Sequence, residues 1–297
     1  MIDVKYSYRT GDKKLSINVV KRKKSFDLAN GIMYTMLILF AAFCIFPLLW
    51  TLVSSLKSNH EIFDNPWGLP AVPQFINYKN AWVVGEIGRY FFNSIYIVAA
   101  SVVASFFTGT MAAYAVRRMI WKLSKYVMMF FLLGVMIPVH ATLIPLYRLF
   151  NSINMIGSPV CLIIIYTAVS LPMSIFILGG FFKMLPRELE EAAAIDGYSI
   201  IRIFWRIIIP LSKPAIATVT IFNFIGFWNE LLFALIFMSN MKYMTLPVGL
   251  TNFIGRYLTD YTGMLAAIVL SFIPSLLVYI FLHENIIKGM MSGSLKE

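Results

Sequence analysis

Apolar residues arrive along this chain in long uninterrupted runs, and the charges fall between the runs. No charged side chain occurs in residues 28–56, 90–116, 126–147, 149–182 or 261–282, and a sixth run, residues 214–241, carries only Glu230. A helix needs roughly 20 mostly apolar residues to cross the hydrocarbon of a bilayer, so each run is long enough to span. Barrel strands would be about half that length and would alternate polar with apolar, which these runs do not. The pattern predicts an all-α fold, a polytopic membrane helical bundle of six transmembrane helices.

Composition fits a chain solvated largely by lipid. Apolar residues make up 59% of the 297 and charged residues 13%, against about 25% charged in a soluble domain. The basic residues then orient the bundle, since lysine and arginine concentrate on the cytoplasmic side of a membrane. Lys5, Arg9, Lys13, Lys14, Lys21, Arg22, Lys23 and Lys24 precede the first run; Arg117, Arg118, Lys122 and Lys125 separate the second from the third. Lys183, Arg187, Arg202, Arg206 and Lys213 separate the fourth from the fifth, and Lys288 and Lys296 follow the last. The alternate connections share Lys57, Lys79, Arg89, Arg148, Lys242 and Arg256. The expected topology has both termini in the cytoplasm (N-in/C-in), and it accounts for the net charge of +11 without a nucleic-acid partner. Residues 1–27 read as a cytoplasmic basic N-terminal segment, 28–283 as the membrane domain and 284–297 as a cytoplasmic tail. The first run is longer than a signal-peptide core and has no A-x-A exit, so it reads as a retained span. Cys44 and Cys161 lie inside runs with no partner at metal-ligand spacing, and His60, His140 and His283 stand apart. Neither a metal site nor a catalytic residue is expected.

Three stretches carry more detail. Residues 54–90 are rich in turn formers, with Pro66, Gly68, Pro70 and Pro73, and are expected to lie over the external mouth. In the second run Ser101, Ser105, Thr108 and Ala112 recur at helical spacing, with Gly109 and Ala113 beside them; small faces let membrane helices approach closely. Pro138 and Pro145 punctuate the third run and permit it to bend. The cytoplasmic connection 184–213 is the most informative. Pro186 suits the first turn of a helix, Glu188, Glu190 and Glu191 favour its positive end, and Gly197 suits its termination. A second, amphipathic helix follows, with Ile200, Ile203, Phe204, Ile207 and Ile208 on one face and Arg202 and Arg206 on the other. Such a helix–glycine–helix elbow reads equally as a docking handle or as an ordinary interfacial connector.

At this point the residues resemble a known family. Glu191-Ala192-Ala193, Gly197 four residues after Ala193, and Ile208-Ile209-Pro210 look like the EAA signature of ATP-binding-cassette importer permeases, with Ile209 where leucine is common. Asn77-Tyr78, Asn93-Ser94, Trp228-Asn229-Glu230, the run from Thr245 through Leu250, and Lys288-Gly289 are similar to features of the carbohydrate branch, in particular the smaller maltose-permease subunit.

The resemblance implies a type I importer permease that binds no cofactor itself. It would form, with a second permease in a heterodimer, the path for a carbohydrate delivered by an extracytoplasmic solute-binding protein. Two ATPase subunits or domains would bind ATP and Mg, in a bacterial or archaeal cytoplasmic membrane. The chain has no G-x-x-x-x-G-K-[ST] phosphate loop, in keeping with that division of labour. Glu190, Glu191, Ala192, Ala193, Asp196, Gly197 and Pro210 would couple to the ATPases. Asn223, Trp228, Asn229 and Glu230 are the candidates for the translocation path. A carboxylate within a span needs water or a partner, so Glu230 either faces the path or is locked to a polar neighbour. An ion-coupled secondary transporter would use Glu230 but leaves the elbow without a purpose; a second alternative is a membrane scaffold or assembly subunit with no pore.

Overall fold

The structure, a computed structural model, describes residues 28–254 and 260–294. The basic residues of segment 1–27, Arg256 and Lys296 lie outside the described residues. The chain divides into two units, up to Trp50 and from Thr51 onward. The first consists, as far as described, of helix α1 (Leu28–Ser54) up to Trp50. Its large side chains, Phe40 and Phe43 among them, are exposed, as an apolar helix solvated by lipid requires.

The second unit continues through short helices α2 (Asn59–Asp64) and α3 (Ile76–Val83), then the long α4 (Ile87–Arg117). Next come α5 (Ser124–Met136), α6 (Leu143–Ser152) and the long α7 (Pro159–Met184). The elbow comprises α8 (Glu188–Ile195), α9 (Ile200–Ile203), a π-helical turn (Phe204–Ile208) and α10 (Ile209–Leu211). Helices α11 (Lys213–Trp228), α12 (Leu232–Phe237), α13 (Leu246–Thr251) and α14 (Tyr261–Ser294) complete it. No strand occurs among the described residues. The fold is an all-α membrane bundle with four helices long and apolar enough to cross, or six spans if each of two bent pairs counts as one.

Breaks within the runs add detail to the six-run pattern, the first of them where the prolines of the third run permit a bend. The third run breaks at Ile137-Pro138: α5 stops after 13 residues, and the chain turns by 97° into Val139–Ser152. Proline disfavours helical geometry in the residue before it, and Ile137 is extended. The run at 149–182 is likewise shared, its first residues closing α6 before α7 begins at Pro159. The fifth run divides into α11 and α12 at Asn229-Glu230-Leu231.

Helix α4 packs most extensively on α7, and the small residues explain why. Ser101, Ser105, Gly109 and Ala113, four apart, are all buried, and Ser105 and Ser170 share a hydroxyl hydrogen bond of 2.8 Å. At Gly109 a methyl group would stand 3.2 Å from Ser174 Cβ. Thr108 is exposed, so it does not belong to the seam. Two apolar clusters lie along this pair. One joins the Ile87 end of α4 to α7, α11, α12 and α14; the other joins its Arg117 end to α5, α7 and the elbow.

The turn-rich stretch 54–90 is held by polar contacts. Lys57 is fully buried, its ammonium donating to the carbonyls of Asn65 (2.7 Å) and Pro66 (3.2 Å), while the Asn77 amide donates to the carbonyls of Ser55 and Lys57. Asn93 donates to the carbonyls of Lys242 and Met244, and Ser94 Oγ accepts from the Leu246 amide at 2.7 Å. The start of α4 thereby holds the connection between α12 and α13.

Gly109→Val should overpack the α4–α7 seam and destabilise the protein by about 1–3 kcal/mol. Gly180→Ala, where an added methyl meets no atom within 4 Å, should leave stability within about 0.5 kcal/mol of the parent. Thermal unfolding in detergent measures both, and equal effects would contradict this packing.

Candidate functional site

The elbow forms as local chemistry directs. Helix α8 opens just after Pro186 with Glu188, Glu190 and Glu191 in its first turn. It closes on Gly197 at φ +78°, a conformation glycine adopts without the penalty a Cβ brings. The Gly197 amide donates to the Ala194 carbonyl (3.0 Å) and the Tyr198 amide to that of Ala193 (2.9 Å), the paired bonds of a Schellman cap. Ser199 Oγ caps α9 by accepting from the Arg202 amide. The helix then widens to a π turn, where the Ile209 amide reaches back to Phe204. That wider turn accommodates Pro210, whose ring would clash with the carbonyl four residues earlier in a regular helix. After Leu211 the axis swings by 79° into α11.

The two faces of α8 differ in chemistry. On the inner face Ala193 is buried and Glu190 is only 19% exposed. Glu190 accepts from Arg118 Nε at 2.5 Å and from the Tyr114 hydroxyl at 3.4 Å. Arg118, 3% exposed at its side chain, also donates to the carbonyls of Phe182 (3.2 Å), Leu185 (2.9 Å) and Pro186 (3.3 Å). Those carbonyls close α7, where helix geometry leaves acceptors unpaired. The outer face presents Glu191, Ala192, Ile195 (87% exposed), Asp196 and Gly197. Ile200 and Ile201 beside it are exposed as well, while Ile203, Phe204 and Ile208 turn inward and Arg202 and Arg206 outward. The amphipathic reading thus holds at those positions, with Ile200 the exception. Pro210 is exposed at the far corner. The seven elbow candidates therefore belong to one surface feature, but Glu190 and Ala193 face the bundle and the others face outward.

Of the four candidates near the end of α11, Trp228 and Asn229 line one cavity and the other two make separate contacts. Asn223 Nδ2 lies 3.3 Å from Ser174 Oγ on α7, to which it donates. Trp228 is 2% exposed; its indole donates to the Ser271 carbonyl on α14 at 3.1 Å, and its ring stacks on Phe224 and meets Phe91 edge-on. Asn229 is exposed and lines, with Trp228, Leu231, Leu246, Thr251 and Ser271, a cavity of about 360 Å³. Glu230 sits in the break between α11 and α12. Its carboxylate accepts from the Tyr166 hydroxyl on α7 (2.9 Å) and from the amides of Phe233 (2.8 Å) and Ala234 (3.1 Å). Of the two readings of Glu230, this geometry is the one in which a polar neighbour holds it. Tyr166 in turn stacks flat on Phe227, ring centroids 5.1 Å apart.

Arg118, Tyr114 and Tyr166 are the residues that sequence reasoning missed. Arg118 counted as a topology charge, and nothing local to it signals a glutamate 72 positions away.

A family model described as the binding-protein-dependent transport system inner membrane component matches residues 105–292. A putative ABC transporter permease protein of Caldicellulosiruptor sp. (strain Rt8B.4) is 41% identical over 251 residues, 84% of this chain and 91% of that protein. A diacetylchitobiose uptake system permease of Streptomyces coelicolor is 34% identical over 268 residues, 90% of this chain and 89% of that protein. Among solved structures, a bacterial ABC transporter involved in import of the acidic polysaccharide alginate superposes with a TM-score of 0.79. It covers 89% of this chain and 99% of that one at 21% identity, a likeness of fold.

Glu230→Leu should strand two amides and the Tyr166 hydroxyl, at about 1–3 kcal/mol for each buried group left unpaired, and yield of folded protein should fall. Glu230→Gln, which retains an accepting oxygen, should fall less. Thermal unfolding of both, alone and combined with Tyr166→Phe, measures the coupling. Additive effects of Glu230→Leu and Tyr166→Phe would show that the pair is not an energetic unit.

Proposed function

The chain belongs to the family of inner membrane components of binding-protein-dependent transport systems, as the permease subunit of an ATP-binding-cassette importer, and on that premise we propose that it forms, with a second permease, the translocation path for a sugar or oligosaccharide. As a transport subunit it is not an enzyme, and the family assignment displaces the ion-coupled alternative. The carbohydrate class is supported by the names its relatives carry, a diacetylchitobiose permease among them, and by the alginate importer whose fold it shares. An extracytoplasmic solute-binding protein delivers the substrate, in keeping with the family's description.

The observation that carries the coupling part of the reading is the elbow. Helix α8 is short, and an eight-residue helix has little stability of its own in water. It exposes Ile195, with Ile201 of α9 nearby in the chain, beside Glu191 and Asp196. Apolar side chains rimmed by carboxylates suit a protein partner, and in this reading the partner is an ATPase that carries the ATP and Mg. The distribution of lysine and arginine supports six crossings with the elbow and both termini in the cytoplasm. The pair Ser124–Met136 and Val139–Ser152 then counts as one span and α11 with α12 as another, the 184–213 connection is the coupling loop, and the chain sits in the cytoplasmic membrane of a bacterium or archaeon. Closure of the ATPases displaces α8, and the 79° corner at Ser212 passes that motion into α11. Along the path Asn229, exposed beside its cavity, is the polar position that meets sugar hydroxyls. Asn223, Trp228 and Glu230 hold the helices that frame it.

Gly197→Pro imposes a φ near −65° where the elbow needs a positive value. Glu191→Lys reverses a charge on the exposed face. Both variants should insert into the membrane yet copurify with several-fold less ATPase and lose ATP-dependent uptake. Retention of the ATPase and of uptake at parental levels in both would refute the elbow as the dock.

A further inference from the structure

Ala193 is the only buried residue of α8. Apolar packing therefore contributes little to holding this helix, and both of its chain connections are turns: Leu185-Pro186-Arg187 at one end, Asp196-Gly197 at the other. What joins α8 to the rest of the bundle is polar. One guanidinium, at the first residue beyond α4, spends its Nε on Glu190 and its two terminal nitrogens on three carbonyls that close α7. The planar fork of arginine supplies these directions at once, whereas a lysine offers a single point charge on a flexible stem.

The surroundings make this a junction among three helices. Tyr114, one turn before Arg118 on α4, reaches the other Glu190 oxygen, and its ring packs against Phe204 of the π turn at 5.2 Å and Phe182 of α7 at 6.5 Å. Arg117 next door acts differently: its stem lies across Gly179, where a Cβ would stand 2.9 Å from Arg117 Cγ. One arginine packs α4 onto α7, and the other ties both helix ends to α8. The α4–α7 pair is itself closely seamed through Ser105, Gly109 and Ser174, so whatever holds α8 to one helix holds it to both.

We infer that Arg118 is a positioning residue of the coupling apparatus, fixing α8 through Glu190 to the adjoining ends of α4 and α7 so that a displacement of the elbow moves those two helices with it. The inference rests on the reading of the elbow as the ATPase dock. It adds a second route for the motion, distinct from the corner into α11, and it gives the two adjacent glutamates different roles. Glu191 faces the partner, while Glu190 faces the bundle and anchors the helix.

The test uses the complex purified with its own ATPase subunits from the native host, with hydrogen–deuterium exchange followed in the presence and absence of Mg–AMP-PNP. In the parent protein, nucleotide should change exchange in segments 188–196 and 112–119 together. In Arg118→Lys, which keeps the charge but not the fork, the response at 188–196 should persist while that at 112–119 is lost. Glu190→Gln, which keeps the shape but not the ion pair, should separate the two segments in the same way and serves if the lysine variant does not assemble. Paired responses in both variants would overturn the inference. So would loss of both responses, or failure of both variants to assemble, because Arg118 would then be a support of the fold and not a link for motion. A parent protein that copurifies no ATPase, or shows no nucleotide response at 188–196, would instead strike the docking reading itself, and that is seen before any variant is made.

Discussion

At Gly109 the backbone of α4 approaches α7 so closely that a methyl group would meet Ser174 Cβ at 3.2 Å, and the rest of the second unit is arranged around that approach. In hydrocarbon there is no hydrophobic force between helices, so association relies on close packing and on hydrogen bonds. Serine and glycine four apart supply both, through the seam itself and the Ser105–Ser170 hydroxyl pair. Because the two axes are held at that distance, Arg118 reaches the carbonyls that close α7, and Asn223 on α11 reaches Ser174. A larger side chain in the seam would move the elbow's anchor away from the helix it anchors.

A second constraint acts at the breaks. Interrupting a helix within a membrane frees backbone groups that lipid cannot satisfy. The chain meets this with a side chain, Glu230, which takes up two amides where α11 gives way to α12; at the end of α7, where the chain turns into the elbow, Arg118 likewise takes up three carbonyls. The same two residues hold those segments to distant helices, Glu230 through Tyr166 and Arg118 through its position after α4. Function and stability share these residues, since an importer permease must bend at defined places without loosening between them.

Much of this was legible in the sequence, where the determinants are local or periodic. The elbow's helix, its glycine stop and its second helix follow from Pro186, Gly197 and the spacing of isoleucines, and the structure shows each. Four of the six small residues of the second run lie in the seam, with Ala112 partly buried beside it; Thr108 fell outside because helical spacing alone does not fix which side of a small-residue stripe is innermost. Breaks in the backbone were legible only where a residue marks them, because a hydropathy window scores residues and not the backbone that connects them. Pro138 marked one break openly, and the break at Asn229 had no such mark. Arg118 was illegible for a physical reason: its partners are carbonyls and a carboxylate brought near by tertiary packing, and at the end of an apolar run a paired arginine looks the same as a solvated one.

If the elbow turns one face to the bundle and the other to an ATPase, crosslinking from α8 on the outer face and from α9 on the inner one shows it most directly. A leucine-sized, diazirine-bearing side chain is placed at Ile195, which is 87% exposed, or at Ile203, which is 5% exposed. Photolysis in native membranes should yield a covalent adduct with the ATPase subunit from position 195 and adducts only within the chain from position 203. Absence of an ATPase adduct at 195, or equal adducts from both positions, would contradict it.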